Sequence, residues 1–379
     1  MRSSQNTGRS MRRNNAAVNH PQPSETIFGF QILRGIAASM VVAFHIGWML
    51  SVQMGTNAKE LISAGATGVD IFFVLSGFIM LHTTRFQFSP QEFLARRVIR
   101  VAPIYWLVTV AHEALALSLP RHVFKYRFDL TNFLCALFFI PCYNFEGVVN
   151  PPVAQGWTLT YEMFFYVLLA FVSTFFFKIR TAVLSILFPG LVLCGFIWHS
   201  TNAVWTTYTD PLLIEFLVGC IIAMLVDSNV IRLGKSAACL IIIGGFILLI
   251  ACWELNTPPH YRGLLLGLPA GCVVLGTAGA ERFFNLRKLR ILNAIGDSSY
   301  SLYLTHTFVI SAMSLVFRSR LARAGHGIPV AFITFAICVG LGIIFYRLVE
   351  RPMTRYLNRR FIGPRRINPR NAVLPPPTY

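Results

Sequence analysis

Ten long apolar runs order the chain, at about residues 29–52, 66–84, 102–119, 157–177, 182–200, 211–227, 236–254, 262–280, 296–317 and 328–349. Each is near the roughly 20 residues that an α-helix needs to cross a hydrocarbon core. Within the runs apolar residues follow one another without the alternation of an outer-membrane barrel. A further run, Phe133–Cys142, is short and ends at Pro141, so it is expected to be interfacial or re-entrant. The pattern predicts an all-α polytopic membrane protein with about ten transmembrane helices. It divides the chain into a basic tail over 1–26, a transmembrane domain over 27–355 and a Pro/Arg-rich tail over 356–379, with disorder expected in the tails. The first run is too long for a signal-peptide core and is expected to stay as the first span. There is no internal repeat and no soluble second domain.

Composition strengthens this reading. Hydrophobic residues make up 55% of the 379, charged residues only 13%, and there are 33 Phe. A soluble globule has nowhere to bury that surface. The net charge of +18 would suggest nucleic acid on a soluble protein, but here the basic residues sit between apolar runs. With the N-terminus inside, 25 of the 33 Lys and Arg fall in inner segments and 8 in outer ones, which predicts both termini in the cytoplasm. The Arg318, Arg320 and Arg323 cluster runs against that assignment. The eight Cys form no CxxC pair and lie mostly in apolar runs, so they are expected to be small buried residues without a disulfide framework or a zinc site.

Ionisable residues inside spans cost roughly 2.5–3.5 kcal/mol each on insertion scales and need a reason. In the first run Arg34 and His45 are eleven residues apart. Eleven steps come within about 20° of three full turns, so both share one helix face about 16 Å apart along the axis. Asp70 and Glu162 are expected at the depth of His45, toward the outer side, where a carboxylate could orient an imidazole. Asp70 could equally be a charge favoured by a helix N-terminus. Arg97 and Arg100 are surface neighbours at the inner face, suited to phosphates or to ordinary headgroup contact. Trp157 could anchor at the interface. Asp297 is expected to be an N-cap, and Tyr303 and His306 are neighbours on the ninth run. Glu350-Arg351-Pro352 is expected to be a structural stop with an ion pair. There is no GxGxxG, P-loop, HExxH or GxSxG motif.

Five segments together resemble the membrane acyltransferase family 3 over about residues 27–355. They are Leu33-Arg34-Gly35 to Phe44-His45, Gly68-Val-Asp70-Ile-Phe-Phe-Val-Leu-Ser-Gly-Phe78, Arg97-x-x-Arg100-x-x-Pro103, Trp157-x-Leu-x-Tyr-Glu162-x-x-Phe-Tyr166, and Gly296-Asp-x-Ser-Tyr300-Ser-x-Tyr303-Leu-x-His306. The second segment is most similar to the exopolysaccharide-acetylating branch. The resemblance implies a bacterial inner-membrane O-acyltransferase. It would take an acyl group, usually acetyl, from cytoplasmic acyl-CoA to a hydroxyl of a periplasmic or lipid-linked glycan, with no metal and no nucleic-acid partner. Arg34 and His45 match the family's Arg-x10-His motif and Glu162 its WxLxxE acid; with the one-face geometry of Arg34 and His45, His45 is expected to act as general base or to carry a transient acyl group, with Glu162 or Asp70 orienting it. Arg34, Arg97 and Arg100 would hold the acetyl-CoA phosphates, and Tyr303, His306 and Trp157 would line the substrate channel. Some relatives carry an esterase-like domain that has no counterpart here. A lipid-linked glycan flippase and a sensor or scaffold are the alternatives. The first predicts an inverted repeat with broken helices, the second tolerance of apolar replacement at the buried polar positions.

Overall fold

The computed structural model describes residues 27–54, 62–86, 88–118, 128–255, 261–317 and 327–363. The tail over 1–26, the chain from 364 onward, Arg121, Lys125 and Arg127 of the long outer loop, and the Arg318–Arg323 cluster lie outside these residues. The described residues belong to a single compact unit within Ile27–Pro364.

Helices account for nearly all of it. In chain order they are α1 Phe28–Met54, α2 Gly68–Thr83, α3 Pro90–Ser118, α4 Leu130–Leu137, α5 Gly156–Phe176, α6 Arg180–Ile197, α7 Ala203–Tyr208, α8 Leu213–Asp227, α9 Lys235–Glu254, α10 Arg262–Leu265, α11 Gly267–Ala280, α12 Arg290–Asp297, α13 Ser299–Phe317, α14 Gly327–Phe345 and α15 Arg351–Phe361. Among the described residues the sole β pairing is an isolated bridge between Tyr143 and Val149. Among the described residues eight stretches are long and apolar enough to cross a membrane, and one of these, Gly156–Ile197, contains both α5 and α6. The lipid-facing character is plain in side chains such as Ile186, Leu240, Ile247 and Phe332, which stand exposed on the outside of the bundle. In water that surface would be untenable; in lipid it is the solvent face.

α1 is central. It packs against α2 on one side and against α12, α13 and α14 on the other. Phe30, Leu33, Ala37 and Val41 belong to the main apolar core, while Ala38, Val42, Ile46 and Met49 belong to a second core built with α13 and α14. On a helix of 3.6 residues per turn, Arg34 and His45 fall in the narrow stripe between those two faces. Two packed faces thus leave a polar seam. Small residues let the helices close around it. A Cβ on Gly35 would meet the Gly296 backbone nitrogen at 2.9 Å, which brings the end of α12 against α1. α2 and α8 cross in the same way, with Gly77 against the Phe216 carbonyl and Gly219 against the Val74 carbonyl.

Four expectations change. Cys135 and Cys142 form a disulfide, with 6.2 Å between their Cα atoms. The short apolar run is an eight-residue helix, α4, after which Phe139 takes a positive φ of 57° and turns the chain back, so Cys142 returns beside Cys135. The spacing hides the pairing because the turn that creates it is not encoded by Gly or Asn. The third run is the C-terminal part of one 29-residue helix that already begins at Pro90 and contains Pro103. Asp297 ends α12 instead of capping the next helix. Finally, Glu350 is no stop: the chain passes through a π-helical turn, Tyr346–Glu350, straight into α15. That extra residue per turn rotates Glu350 into the interior, where it is buried.

Candidate active site

At one end of the seam His45 of α1 meets His306 of α13. The ring centroids are 4.9 Å apart with the planes at 60°. His45 Nδ1 lies 2.9 Å from the Val41 carbonyl oxygen and 3.4 Å from His306 Nε2. His306 Nδ1 lies 3.2 Å from the Leu302 carbonyl oxygen. Carbonyls only accept, so each Nδ1 carries the proton in the neutral ring and each Nε2 carries the lone pair. The His306 lone pair faces the Gln155 amide at 3.4 Å. The His45 Nε2 atom has no hydrogen-bond partner among the described residues, and His45 is only half-buried. A neutral imidazole with its basic nitrogen free and its other nitrogen anchored is the form a general base requires. Tyr303 flanks the pair, its hydroxyl 3.0 Å from Thr158 of α5.

The seam continues along α5. Thr158, Glu162 and Tyr166 fall within about 80° of one another on this helix. Ser76 of α2 donates to Glu162 at 3.1 Å, and the Tyr166 hydroxyl also donates to Glu162. Arg97 of α3 sits in the field of Tyr166 and Glu162. The buried Arg97 Nε has no hydrogen-bond partner among the described residues. Arg34 sits in the field of Glu162, Glu350 and Arg100. Glu350 accepts from Ser301 at 2.5 Å and interacts with Arg100 and Arg34. Asp297 faces Arg34, Arg100 and Arg351. Tyr300 donates to the Val101 carbonyl at 2.7 Å and ties α13 to α3 beside this cluster. The three sequence-predicted arginines therefore converge with Arg351 around Glu162, Glu350 and Asp297, four cations against three carboxylates. Such a cluster fits a phosphate-bearing ligand.

Two expected placements differ. Asp70 does not join His45. It is buried and takes a two-pronged contact from Arg262, with Nε and Nη2 at 3.3 and 3.2 Å from its two oxygens. Glu215 of α8 is buried beside it, within the field of Asp70 and Arg262, and neither of its oxygens has a hydrogen-bond partner among the described residues. Glu162 likewise has its partners farther along α5, with the arginines, and neither carboxylate hydrogen-bonds the His45 ring among the described residues. Trp157 lies on the other side of α5 from Glu162, packed against Phe73 and Tyr161. The residues that sequence reasoning missed are Glu350, Arg262, Glu215 and Gln155. The only signal for the first was its Ser301 partner inside a recognised segment. Arg262 stood out as the one basic residue of its outer segment.

The chain matches the acyltransferase-3 family description, "Acyltransferase domain", over residues 27–347. It is 37% identical over 301 residues to the exopolysaccharide production protein ExoZ of Rhizobium meliloti, covering 77% of this chain and 90% of that one. It is 27% identical to the putative membrane-bound transacylase BcsY of Komagataeibacter xylinus, over 88% of this chain and 84% of the relative. The O-acetyltransferase OatA of Staphylococcus aureus is 24% identical over 86% of this chain, which spans 57% of that protein. No solved structure matches. A family match over almost the whole helical bundle, joined to an interior lined by arginines at one end and a histidine pair at the other, makes this chain a polytopic membrane protein of the acyltransferase-3 family.

Proposed function

We propose that this protein is an O-acyltransferase of the bacterial inner membrane. It moves an acetyl group from cytoplasmic acyl-CoA to a hydroxyl of an extracytoplasmic or lipid-linked glycan, of the exopolysaccharide kind. One observation carries the reading: a single helix, α1, presents Arg34 and His45 on the same polar stripe, about 16 Å apart along the axis, with Arg34 in an arginine cluster and the Nε2 of His45 free. The separation suits a donor whose phosphates bind at one end while its thioester reaches the other. The relatives ExoZ, an exopolysaccharide production protein, and OatA, an O-acetyltransferase, support the acceptor class and the acyl group.

In this mechanism Arg34, Arg97 and Arg100 hold the donor's phosphates. His45 Nε2 takes the proton of the acceptor hydroxyl as its oxygen bonds to the acyl carbon. The carbon–sulfur bond then breaks, and the departing thiolate takes the proton back from His45. His306 fixes the imidazole from the Nδ1 side, and Gln155 fixes His306. The deep carboxylates act on the arginines, not on the base. Glu162, Glu350 and Asp297 hold Arg34, Arg97 and Arg100 in place, and Arg351 leaves the cluster one positive charge in excess.

Inverted membrane vesicles test this directly. Radiolabelled acetyl-CoA is supplied on the cytoplasmic face, and label is followed into glycan and lipid fractions for wild type, His45→Ala and Arg97→Ala. Label entering a lumenal glycan with wild type and vanishing with His45→Ala supports the reading. Full transfer by His45→Ala removes the base role. No transfer by wild type, with the endogenous acceptor present and other short acyl-CoAs also tried, moves the weight to a glycan flippase.

A further inference from the structure

α5 has two polar faces, and the proposed reaction uses only one. Thr158, Glu162 and Tyr166 line the seam, whereas Trp157, Thr160 and Tyr161 project from the far side of the same helix within an arc of about 100°. There they line a separate cavity of about 240 Å³. Its opposite wall comes from α4 and the returning loop, with Asn132, Cys142 and Asn150, and its floor from Thr207 and Asp210.

The lining has a definite chemistry. Aromatic rings stand opposite amide, hydroxyl and carboxylate groups, and no Lys or Arg lines the cavity among the described residues. The groups present fit a neutral ring bearing several hydroxyls: an aromatic face covers the C–H side of a sugar, and Asn, Asp and Thr serve its rim. The polar groups are fixed in advance. Asp210 accepts from the Leu212 backbone N–H at 2.8 Å and interacts with Tyr161. Behind it stands Arg262, which also serves Asp70 and Glu215. Asn132 donates to the Asn150 carbonyl at 3.1 Å, joining α4 to the loop. The Cys135–Cys142 disulfide closes that wall. The volume is below the roughly 300–1,000 Å³ of sites for drug-sized ligands, so it holds one ring, not a chain.

We propose that this cavity is a binding subsite for a neighbouring sugar of the acceptor glycan, one residue or more away from the hydroxyl that reacts at His45. The proposal rests on the acyltransferase reading above and adds to it a length requirement. A helix with its side chains is about 10–12 Å across, so the acceptor must pass over the tip of α5 to fill both faces. Oligosaccharides therefore bind better than a single sugar, and the disulfide is part of the binding wall.

The test uses the full-length protein in detergent and size-fractionated fragments, mono- to tetrasaccharide, of the producing strain's exopolysaccharide. Saturation-transfer NMR reads binding without any donor, and label transfer from acetyl-CoA reads the reaction. Thr206 is exposed at the cavity's edge, so Thr206→Trp fills the space without entering the core; Asn150→Ala removes an amide instead. The expected result is that tetrasaccharide binds wild type at least tenfold more tightly than monosaccharide, that both variants lose this advantage, and that their tetrasaccharide KM rises about tenfold while kcat is kept. Cys135→Ser/Cys142→Ser shifts KM in the same direction. Variants that bind and acetylate tetrasaccharide as wild type does would overturn the subsite. Tetrasaccharide binding that is lost in Thr206→Trp, with no transfer by wild type, would retain the subsite and reject the acyl-transfer reading.

Discussion

His45 owes its assignment to what its ring faces. Because Nδ1 is committed to the Val41 carbonyl and to His306, the lone pair is left on Nε2, toward the space of the seam. Replacing it by Gln keeps a polar side chain of similar reach and removes the base. His45→Gln is expected to lower acetyl transfer by about 10²- to 10⁴-fold with donor KM unchanged, the range that positioned general bases contribute. A loss confined to KM would assign His45 to binding. Arg97 makes the opposite expectation. Its Nε is buried and without a hydrogen-bond partner among the described residues. A hydrogen bond to a charged group contributes about 1.5–3 kcal/mol, so Arg97→Ala is expected to raise the KM for acetyl-CoA about tenfold or more and to leave kcat nearly intact. Arg34 and His45 were legible in the sequence because one helix period relates them. The His45–His306 contact was not, since its members are 261 residues apart and only the packing of α1 on α13 joins them. Asp70 was legible as a first-turn charge of α2, but its alternative role beside His45 fails because the side of the helix on which Arg262 arrives was not readable.

Element by element, the positions of the helices were legible and their breaks were not. Hydropathy marks α9 and α14 because nothing polar interrupts them. It gives no sign that α12 ends at Asp297, where a short helix turns its carboxylate toward Arg34. Nor does it give the π-helical turn that aims Glu350 inward. Close packing between elements rests on side chains too small to register in hydropathy at all. At Gly77 any Cβ would run into the Phe216 carbonyl. Gly77→Val is therefore expected to separate α2 from α8 and to lower the thermal midpoint of the solubilised protein by several degrees or prevent its accumulation, since overpacking costs about 1–3 kcal/mol and backbone cannot yield as a side chain does. The Asp70–Arg262 contact ties α10 to α2 with Glu215 of α8 alongside. Arg262→Met leaves both carboxylates without their cation, and breaking a buried pair from one side costs about 3–5 kcal/mol. Its thermal midpoint should fall clearly below that of Arg262→Lys, read by intrinsic fluorescence; equal midpoints for Met, Lys and wild type would show that the pair does not hold these helices.

For the whole molecule, the polar features are sorted along the direction in which the helices run. The arginine cluster lies near the start of α1 and within the first half of α3, and the histidine pair lies toward the other end of α1. At that same second end, beyond the start of α5, the disulfide bridges Cys135 and Cys142. Two independent physical rules give the same orientation. Lys and Arg are retained on the cytoplasmic side of bacterial membranes, and disulfides persist where glutathione does not reach. By the first rule Arg34, Arg97 and Arg100 are expected toward the cytoplasm; by the second, α4 and its loop are expected outside. This orientation is what transfer across the membrane requires, and it can be tested without any substrate. In intact spheroplasts, a membrane-impermeant phosphine reductant followed by an impermeant maleimide is expected to label Cys135 and Cys142, and labelling should disappear in Cys135→Ser/Cys142→Ser. In sealed inverted vesicles the same reagents should leave both cysteines unlabelled, while a cysteine placed at the exposed Arg359 of α15 is labelled there. Labelling of Cys135 and Cys142 from the cytoplasmic face would invert the molecule and put the histidine pair on the donor side, which no transfer from cytoplasm to an outer glycan could use.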